Sequence, residues 1–207
     1  MLIPPVLPKV VLHHACVRAS VIQNRQIMIS RAIPTINTSR LTLRALGPQD
    51  FSRFAEIWTM QDVVRYIGGA SRSKAASWGA FLRNAGQWQI TGFGQWGIEE
   101  RGTKRLIGQV GFFHGCRELG EDFDVGPEAG WILTPDVHGQ GYGMEATSAA
   151  HEWFDRVITG PLVCQLAPEN QASAQLSAHL GYVPLRLTTF EGHPSQLMIR
   201  QKPPQPK

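Results

Sequence analysis

The segment TPDVHGQGYGMEA, residues 134–146, places glycines at three alternate positions, Gly139, Gly141 and Gly143, directly before a helix-like run. Glycine has no side chain to keep a ligand away from the main chain. The first N–H groups of the following helix have no intrahelical acceptor, and the helix dipole is positive at the same end. The segment therefore predicts a site for a phosphate or pyrophosphate, with a flexible turn between a strand and a helix as the alternative.

The composition limits the class of protein. The chain has 207 residues, of which 43% are hydrophobic and 17% charged, which is typical of one globular domain with a well-filled core. No apolar run approaches the roughly 20 residues of a membrane-spanning helix. The net charge is +4 without a dense Lys/Arg stripe, which disfavours nucleic-acid binding. Cys16, Cys116 and Cys164 show neither disulfide nor metal-ligand spacing, so we expect a reducing cytoplasm and no metal.

The first 49 residues contain no aspartate or glutamate. An acid-poor segment with several arginines can be a targeting peptide, but prolines and Lys9 interrupt the apolar run that a signal peptide needs. The other interpretation is an accessory or non-native extension upstream of Met28. We expect a folded domain over residues 38–201, a poorly ordered or accessory extension over residues 1–37, and a flexible tail over residues 202–207.

Hydrophobic periodicity predicts the order strand, two helices, three strands, helix, strand, helix, strand. The second helix is expected to end near Gly86, and SQLMIRQ is the one strand expected after Gly181. Because a run of strands precedes the alternation, the order favours an α+β mixed sheet over a doubly wound parallel one. The Gly-x-Gly-x-Gly spacing and its late position do not fit a dinucleotide-binding fold, and a Walker loop would need Gly-Lys-Ser/Thr.

Four segments in this order resemble the GNAT superfamily of acetyl-CoA-dependent N-acetyltransferases, and most closely its RimJ/RimL-like (ribosomal-protein N-acetyltransferase) branch. They are RLTLRAL as the first strand, EAGWIL as the strand before the loop, HGQGYG as the family's Gln/Arg-x-x-Gly-x-Gly/Ala loop, and PENQASAQLSAHLGYVP as the late helix. The resemblance covers about residues 38–200. It implies the GNAT acyl-CoA N-acyltransferase fold, a central, mostly antiparallel, splayed sheet flanked by helices.

The resemblance also implies acetyl-CoA as the co-substrate. Backbone N–H groups of residues 138–143 would hold the pyrophosphate, and residues 131–133 would splay from residues 163–166 to admit the pantetheine arm. An N–H near Ile132 or Leu133 would polarise the thioester carbonyl. The implied coenzyme-binding residues are Trp131, Ile132, Leu133, His138, Gly139, Gln140, Gly141, Tyr142, Gly143, Asn170 and Ser173.

Acetyl transfer to an amine needs a base for the amine and a proton for the thiolate. Glu128, at the start of EAGWIL, is the candidate base; the alternatives are an exposed strand-end glutamate and solvent as the base. Many relatives carry a tyrosine acid where this chain has Ser177. Ser173 is therefore the candidate acid, with a helix-cap or surface serine as the alternative, and Asn170 contacts the pantetheine arm or caps its own helix.

The function implied is transfer of an acetyl group from acetyl-CoA to a primary amine, on a protein N-terminus or a small molecule, by direct attack in a ternary complex. The missing tyrosine keeps open a second function, a non-catalytic module that binds or senses acyl-CoA. We expect a cytoplasmic monomer or homodimer that binds neither nucleic acid nor membrane. The sequence does not identify the amine acceptor.

Overall fold

The computed structural model describes residues 32–124 and 126–201. The expectations for residues 1–27 and for the tail over residues 202–207 lie outside this part of the chain. The elements are, in chain order, β1 (Ile36–Asn37), β2 (Leu41–Arg44), α1 (Phe51–Ile57), α2 (Gln61–Val64), α3 (Lys74–Thr91), β3 (Gln95–Glu100), β4 (Leu106–Phe113), β5 (Glu128–Leu133), α4 (Tyr142–Val157), β6 (Leu162–Leu166), α5 (Gln171–His179), β7 (Val183–Phe190) and β8 (His193–Arg200).

The strands form one sheet in the order β1-β2-β3-β4-β5-β6-β8-β7. Every neighbouring pair is antiparallel except β5 and β6, which are parallel and share the single residue pair Glu128 and Val163. The two strands therefore touch at their first residues and then diverge. The prediction of a mixed, mostly antiparallel, splayed sheet is confirmed.

Helices cover both faces of the sheet. Leu106 packs with α1 and α3 residues, whereas its neighbour Ile107 packs with the α4 residue Phe154. Successive strand residues point to opposite faces, so these two apolar clusters lie on opposite sides. The α4 side holds the larger cluster, in which Trp96 and Phe112 are fully buried. The rigid sheet between the clusters fixes where β5 and β6 part.

Three features differ from the expected order of elements. Helix α3 continues through Gly86 to Thr91, so the expected end near Gly86 is wrong. A helical glycine costs about 1 kcal/mol, which burial of Trp88 in the core more than offsets. The chain also forms β1 and β7, both absent from the expected order. Strand β7 lies at the sheet edge and none of its residues is buried, so it lacks the buried face that reveals a half-buried strand.

The described chain already packs on the sheet before Thr38, since Trp96 Nε1 donates to the carbonyl of Pro34 at 2.7 Å. Within residues 32–124 and 126–201, no helix is long and apolar enough to cross a bilayer. The same residues contain no group of three or more His, Cys, Asp or Glu side chains that could hold a metal ion.

Candidate active site

A cleft of about 650 Å³ opens where β5 and β6 diverge. Its walls come from the end of β5, the glycine loop, α5 and the short helix α2. Most of the residues expected to bind the coenzyme line this cleft: Trp131, Ile132, Leu133, His138, Gly139, Gly141, Gly143, Asn170 and Ser173. The fold thus brings together two sequence segments that are about thirty residues apart, residues 131–143 and residues 170–173.

The glycine loop presents unpaired donors to the cleft. Gly139 and Gly141 have φ of 72° and 80°, in the left-handed region that favours glycine. Among the described residues, the N–H groups of Gly139, Gln140 and Gly141 make no hydrogen bond. They adjoin the start of α4, where the Glu145 N–H makes the first bond, to the Gly141 carbonyl, and the N–H groups before it lack intrahelical acceptors. This donor set fits an anion such as a pyrophosphate.

Three side chains of the loop make hydrogen bonds within the protein. His138 Nε2 lies 3.0 Å from the carbonyl of Leu133, and Gln140 Nε2 donates to the carbonyl of Asp136 at 2.8 Å. The Tyr142 hydroxyl donates to Glu100 at 2.9 Å. Gln140 and Tyr142, both expected to bind the coenzyme, do not line the cleft.

The backbone of β5 also directs a donor into the gap. Thr134 N–H bonds to the carbonyl of Ile107 on β4 at 2.8 Å. Because donors alternate sides along a strand, the N–H of Ile132 faces β4 and the N–H of Leu133 faces the diverging β6. Of the two candidates for polarising a carbonyl in the gap, this register favours Leu133.

A hydrogen bond crosses the gap between β5 and α5. Trp131 Nε1 donates to Ser173 Oγ at 3.2 Å, so the serine's own proton remains free to be donated elsewhere. Asn170 Oδ1 accepts from the N–H of Ser173 at 3.1 Å and so caps α5. Ser177, which stands where relatives carry tyrosine, is fully buried and donates to the carbonyl of Ala174. Ser173 is therefore the hydroxyl that α5 presents to the cleft.

Glu128 is buried rather than exposed, which contradicts the alternative of a solvated strand end. It accepts two hydrogen bonds from Arg117, at 2.5 and 2.8 Å. Burial raises the pKa of Glu128, and the Arg117 guanidinium opposes that rise. Sequence reasoning missed Arg117, because it lies in the loop between β4 and β5 without a recognisable motif.

Glu128 and Ser173 do not share one cavity. Glu128 borders a second cavity of about 300 Å³, which is also lined by His114, Arg117, Glu118 and Asp124. Trp131 lines the larger cleft and follows Glu128 by three positions on β5, a distance of about 10 Å along the strand. The two cavities therefore lie along one strand, with the larger bordered by the glycine loop and the smaller by a buried carboxylate.

The chain is similar to known acetyltransferases. A family model described as acetyltransferase (GNAT) domain matches residues 40–183. The uncharacterized N-acetyltransferase YoaA of Bacillus subtilis (strain 168) is 26% identical over 151 residues, covering 72% of this chain and 82% of that protein. A solved acetyltransferase from Agrobacterium tumefaciens str. C58 is 28% identical with a TM-score of 0.70, covering 83% of this chain and 96% of that one.

Less similar sequences share the fold. A putative GNAT-family acetyltransferase from Bordetella pertussis has a TM-score of 0.75 at 24% identity, covering 81% of this chain and 99% of that one. A ribosomal-protein-S5-alanine acetyltransferase from Vibrio fischeri has a TM-score of 0.68 at 16% identity, covering 82% and 97%. A spermidine N-acetyltransferase from Vibrio cholerae, solved with CoA and spermine, has a TM-score of 0.63 at 18% identity, covering 80% and 97%.

Proposed function

Because the chain belongs to the GNAT family of acetyl-CoA-dependent acetyltransferases, we propose that it acetylates a primary amine by direct attack in a ternary complex. The observation that carries this proposal is the cleft in which unpaired loop donors lie at one end and the gap between β5 and β6 at the other. The loop suits the pyrophosphate of acetyl-CoA, and the gap suits its extended arm.

Each wall of the cleft has a proposed task toward acetyl-CoA, which supplies the acetyl thioester when bound. The N–H groups of residues 139–141 hold the pyrophosphate, and Asn170 contacts the arm while capping α5. The N–H of Leu133 stabilises the oxyanion that develops on the acetyl carbonyl. Ser173 donates its proton to the leaving thiolate, oriented by the bond that it accepts from Trp131.

Glu128 is the proposed base for the amine. Its carboxylate lies in the smaller cavity, where burial raises its pKa and the Arg117 guanidinium opposes that rise. A carboxylate with a raised pKa is a better proton acceptor near neutral pH than an exposed one. Glu128→Gln should lower kcat/KM about a hundredfold or more. The control is Glu118→Gln, because Glu118 lines the same cavity but is exposed. This variant should keep kcat/KM within about twofold of the unaltered enzyme.

The pH profile tests the same assignment. The acid limb of kcat/KM in the unaltered enzyme should follow the protonation of Glu128, and Glu128→Gln should remove that limb. If Glu128→Gln retains the activity and the acid limb, solvent is the base and the assignment is wrong.

The acceptor proposed is a protein N-terminus, as in the RimJ/RimL-like branch, or a small primary amine. Among fold relatives, one is described as acting on an alanine of ribosomal protein S5 and another as a spermidine acetyltransferase. We place the enzyme in the cytoplasm as a monomer or homodimer, with its catalytic domain over residues 38–201.

A thermal-shift measurement tests the cleft first. Acetyl-CoA at about 100 times its Kd should add about 2.7 kcal/mol to the free energy of unfolding, whereas NADH should add none. Thiol release with N-terminal peptides and with polyamines then identifies the amine. A thermal shift without thiol release with any amine would favour the non-catalytic acyl-CoA-binding module. Absence of a thermal shift would contradict the proposal that the cleft binds acetyl-CoA.

A further inference from the structure

Residues 38–40, which precede β2, are hydrogen-bonded to the first turn of α4, next to the glycine loop. The Glu145 carboxylate, in the first turn of α4, accepts from Thr38 Oγ1 at 2.6 Å and from Ser39 Oγ at 2.9 Å. It also accepts from the N–H of Arg40 at 2.9 Å and from Arg40 Nε at 2.6 Å. Burial opposes the charged form, but these bonds outweigh it and lower the pKa of Glu145 to about 2. The carboxylate thus stays ionised at neutral pH and ties residues 38–40 to α4.

Arg40 extends this attachment to the loop itself. Its Nη1 donates to the carbonyl of Gln140 at 2.9 Å. Its guanidinium carbon also lies 4.1 Å from the centre of the Tyr142 ring, and the Tyr142 hydroxyl is anchored on Glu100. One arginine therefore contacts the residues on both sides of Gly141.

The bond to the Gln140 carbonyl determines where the next donor points. In a trans peptide the carbonyl of residue 140 and the N–H of Gly141 point in opposite directions, and the described chain has no cis peptide bond. With the carbonyl directed toward Arg40, the N–H of Gly141 points away from it. That N–H is one of the loop donors without an acceptor among the described residues. The peptide joins Gln140 to Gly141, and glycine is free to adopt many φ values, so the hydrogen bond from Arg40 favours this one orientation.

We propose that Arg40, held by Glu145, is a positioning residue for coenzyme binding: it orients the 140–141 peptide so that its N–H faces the pyrophosphate. This inference rests on the proposed binding of acetyl-CoA in the cleft. It assigns a role in that binding to Arg40, which lies about a hundred positions before the glycine loop. Arg40 acts through the loop backbone and does not line the cleft. Arg40 should therefore affect the affinity for the pyrophosphate of acetyl-CoA and leave the rate of acetyl transfer unchanged.

Arg40→Met tests the proposal, because methionine keeps an unbranched apolar stem while removing the guanidinium. The Kd for coenzyme A, measured by calorimetry, should rise about tenfold, the loss expected for one partly exposed, charge-assisted hydrogen bond. Glu145→Gln should raise the Kd in the same direction by a smaller factor. Arg186→Met is the matched control, because Arg186 is similarly exposed and ion-paired to Asp122 but lies on β7.

A truncated donor separates positioning from general damage. S-acetylpantetheine has the thioester and the arm but no pyrophosphate, so Arg40→Met should change its kcat/KM by less than about twofold. With acetyl-CoA the KM should rise while kcat at saturation stays unchanged. An unaltered Kd for coenzyme A, or an equal loss with both donors, overturns the proposal. If the unaltered protein binds no coenzyme A, the proposed function fails first. If Arg40→Met does not fold, Glu145→Gln decides by the same comparison.

Discussion

A buried histidine should make the stability of this protein fall in mild acid. His151, on α4, is 3% exposed; its Nδ1 lies 2.8 Å from the carbonyl of Thr147 and its Nε2 2.9 Å from the Tyr182 hydroxyl. A carbonyl only accepts, so Nδ1 carries the proton and Nε2 accepts from Tyr182. Protonation of Nε2 would bury a charge and would require the Tyr182 hydroxyl to change from donor to acceptor.

The structural consequence is a low pKa. Burial, with a contribution from nearby Arg200, lowers the pKa of His151 from 6.5 to about 4, although the Thr147 carbonyl and Asp155 act in the opposite direction. Between these two values the unfolded chain binds a proton that the folded protein does not. The stabilisation is therefore complete above pH 6.5 and is lost as the pH falls toward 4. The total is about 3 kcal/mol.

Urea unfolding at about pH 7 and about pH 4 measures this loss. His151→Gln keeps an acceptor for Tyr182 but cannot titrate, so it should be less stable at neutral pH yet lack this part of the pH dependence. The stability difference between the unaltered protein and His151→Gln should shrink by about 3 kcal/mol on acidification. The exposed His193→Gln serves as the control. Identical pH dependence in all three proteins would refute the reasoning.

Three further outcomes are expected. Trp131→Phe removes the indole donor to Ser173 and should lower kcat at saturating acetyl-CoA about fivefold. An unchanged kcat would contradict the idea that this bond orients Ser173 to protonate the thiolate. Gly141→Ala forces a side chain into φ of 80°, which costs about 1 kcal/mol, so the Kd for coenzyme A should rise about fivefold in calorimetry. Arg200→Met leaves Asp155 without its buried partner and should lower the free energy of unfolding by about 3 kcal/mol in urea; a loss below about 1 kcal/mol would contradict this.

Much of the cleft between β5 and β6 could be predicted from local sequence. The glycine loop, the helix behind it and the Asn170 cap depend on backbone conformation and hydrogen bonds within a few residues, which short patterns encode. Hydrophobic periodicity likewise predicted most of the helices and strands. It failed for β7, where an edge position leaves no buried face to produce alternation, and at Gly86, where tertiary packing outweighed local propensity.

The roles of particular side chains depended on the tertiary structure. The sequence placed Glu128 at a strand start, but only the fold buries it and sets Arg117 against it. Only the register of β5 on β4 distinguishes the N–H of Leu133 from that of Ile132. The contact between Arg40 and Glu145 joins residues 105 positions apart. A local pattern specifies what one segment can form, whereas burial, register and long-range charge pairing arise when sheet assembly brings distant segments together.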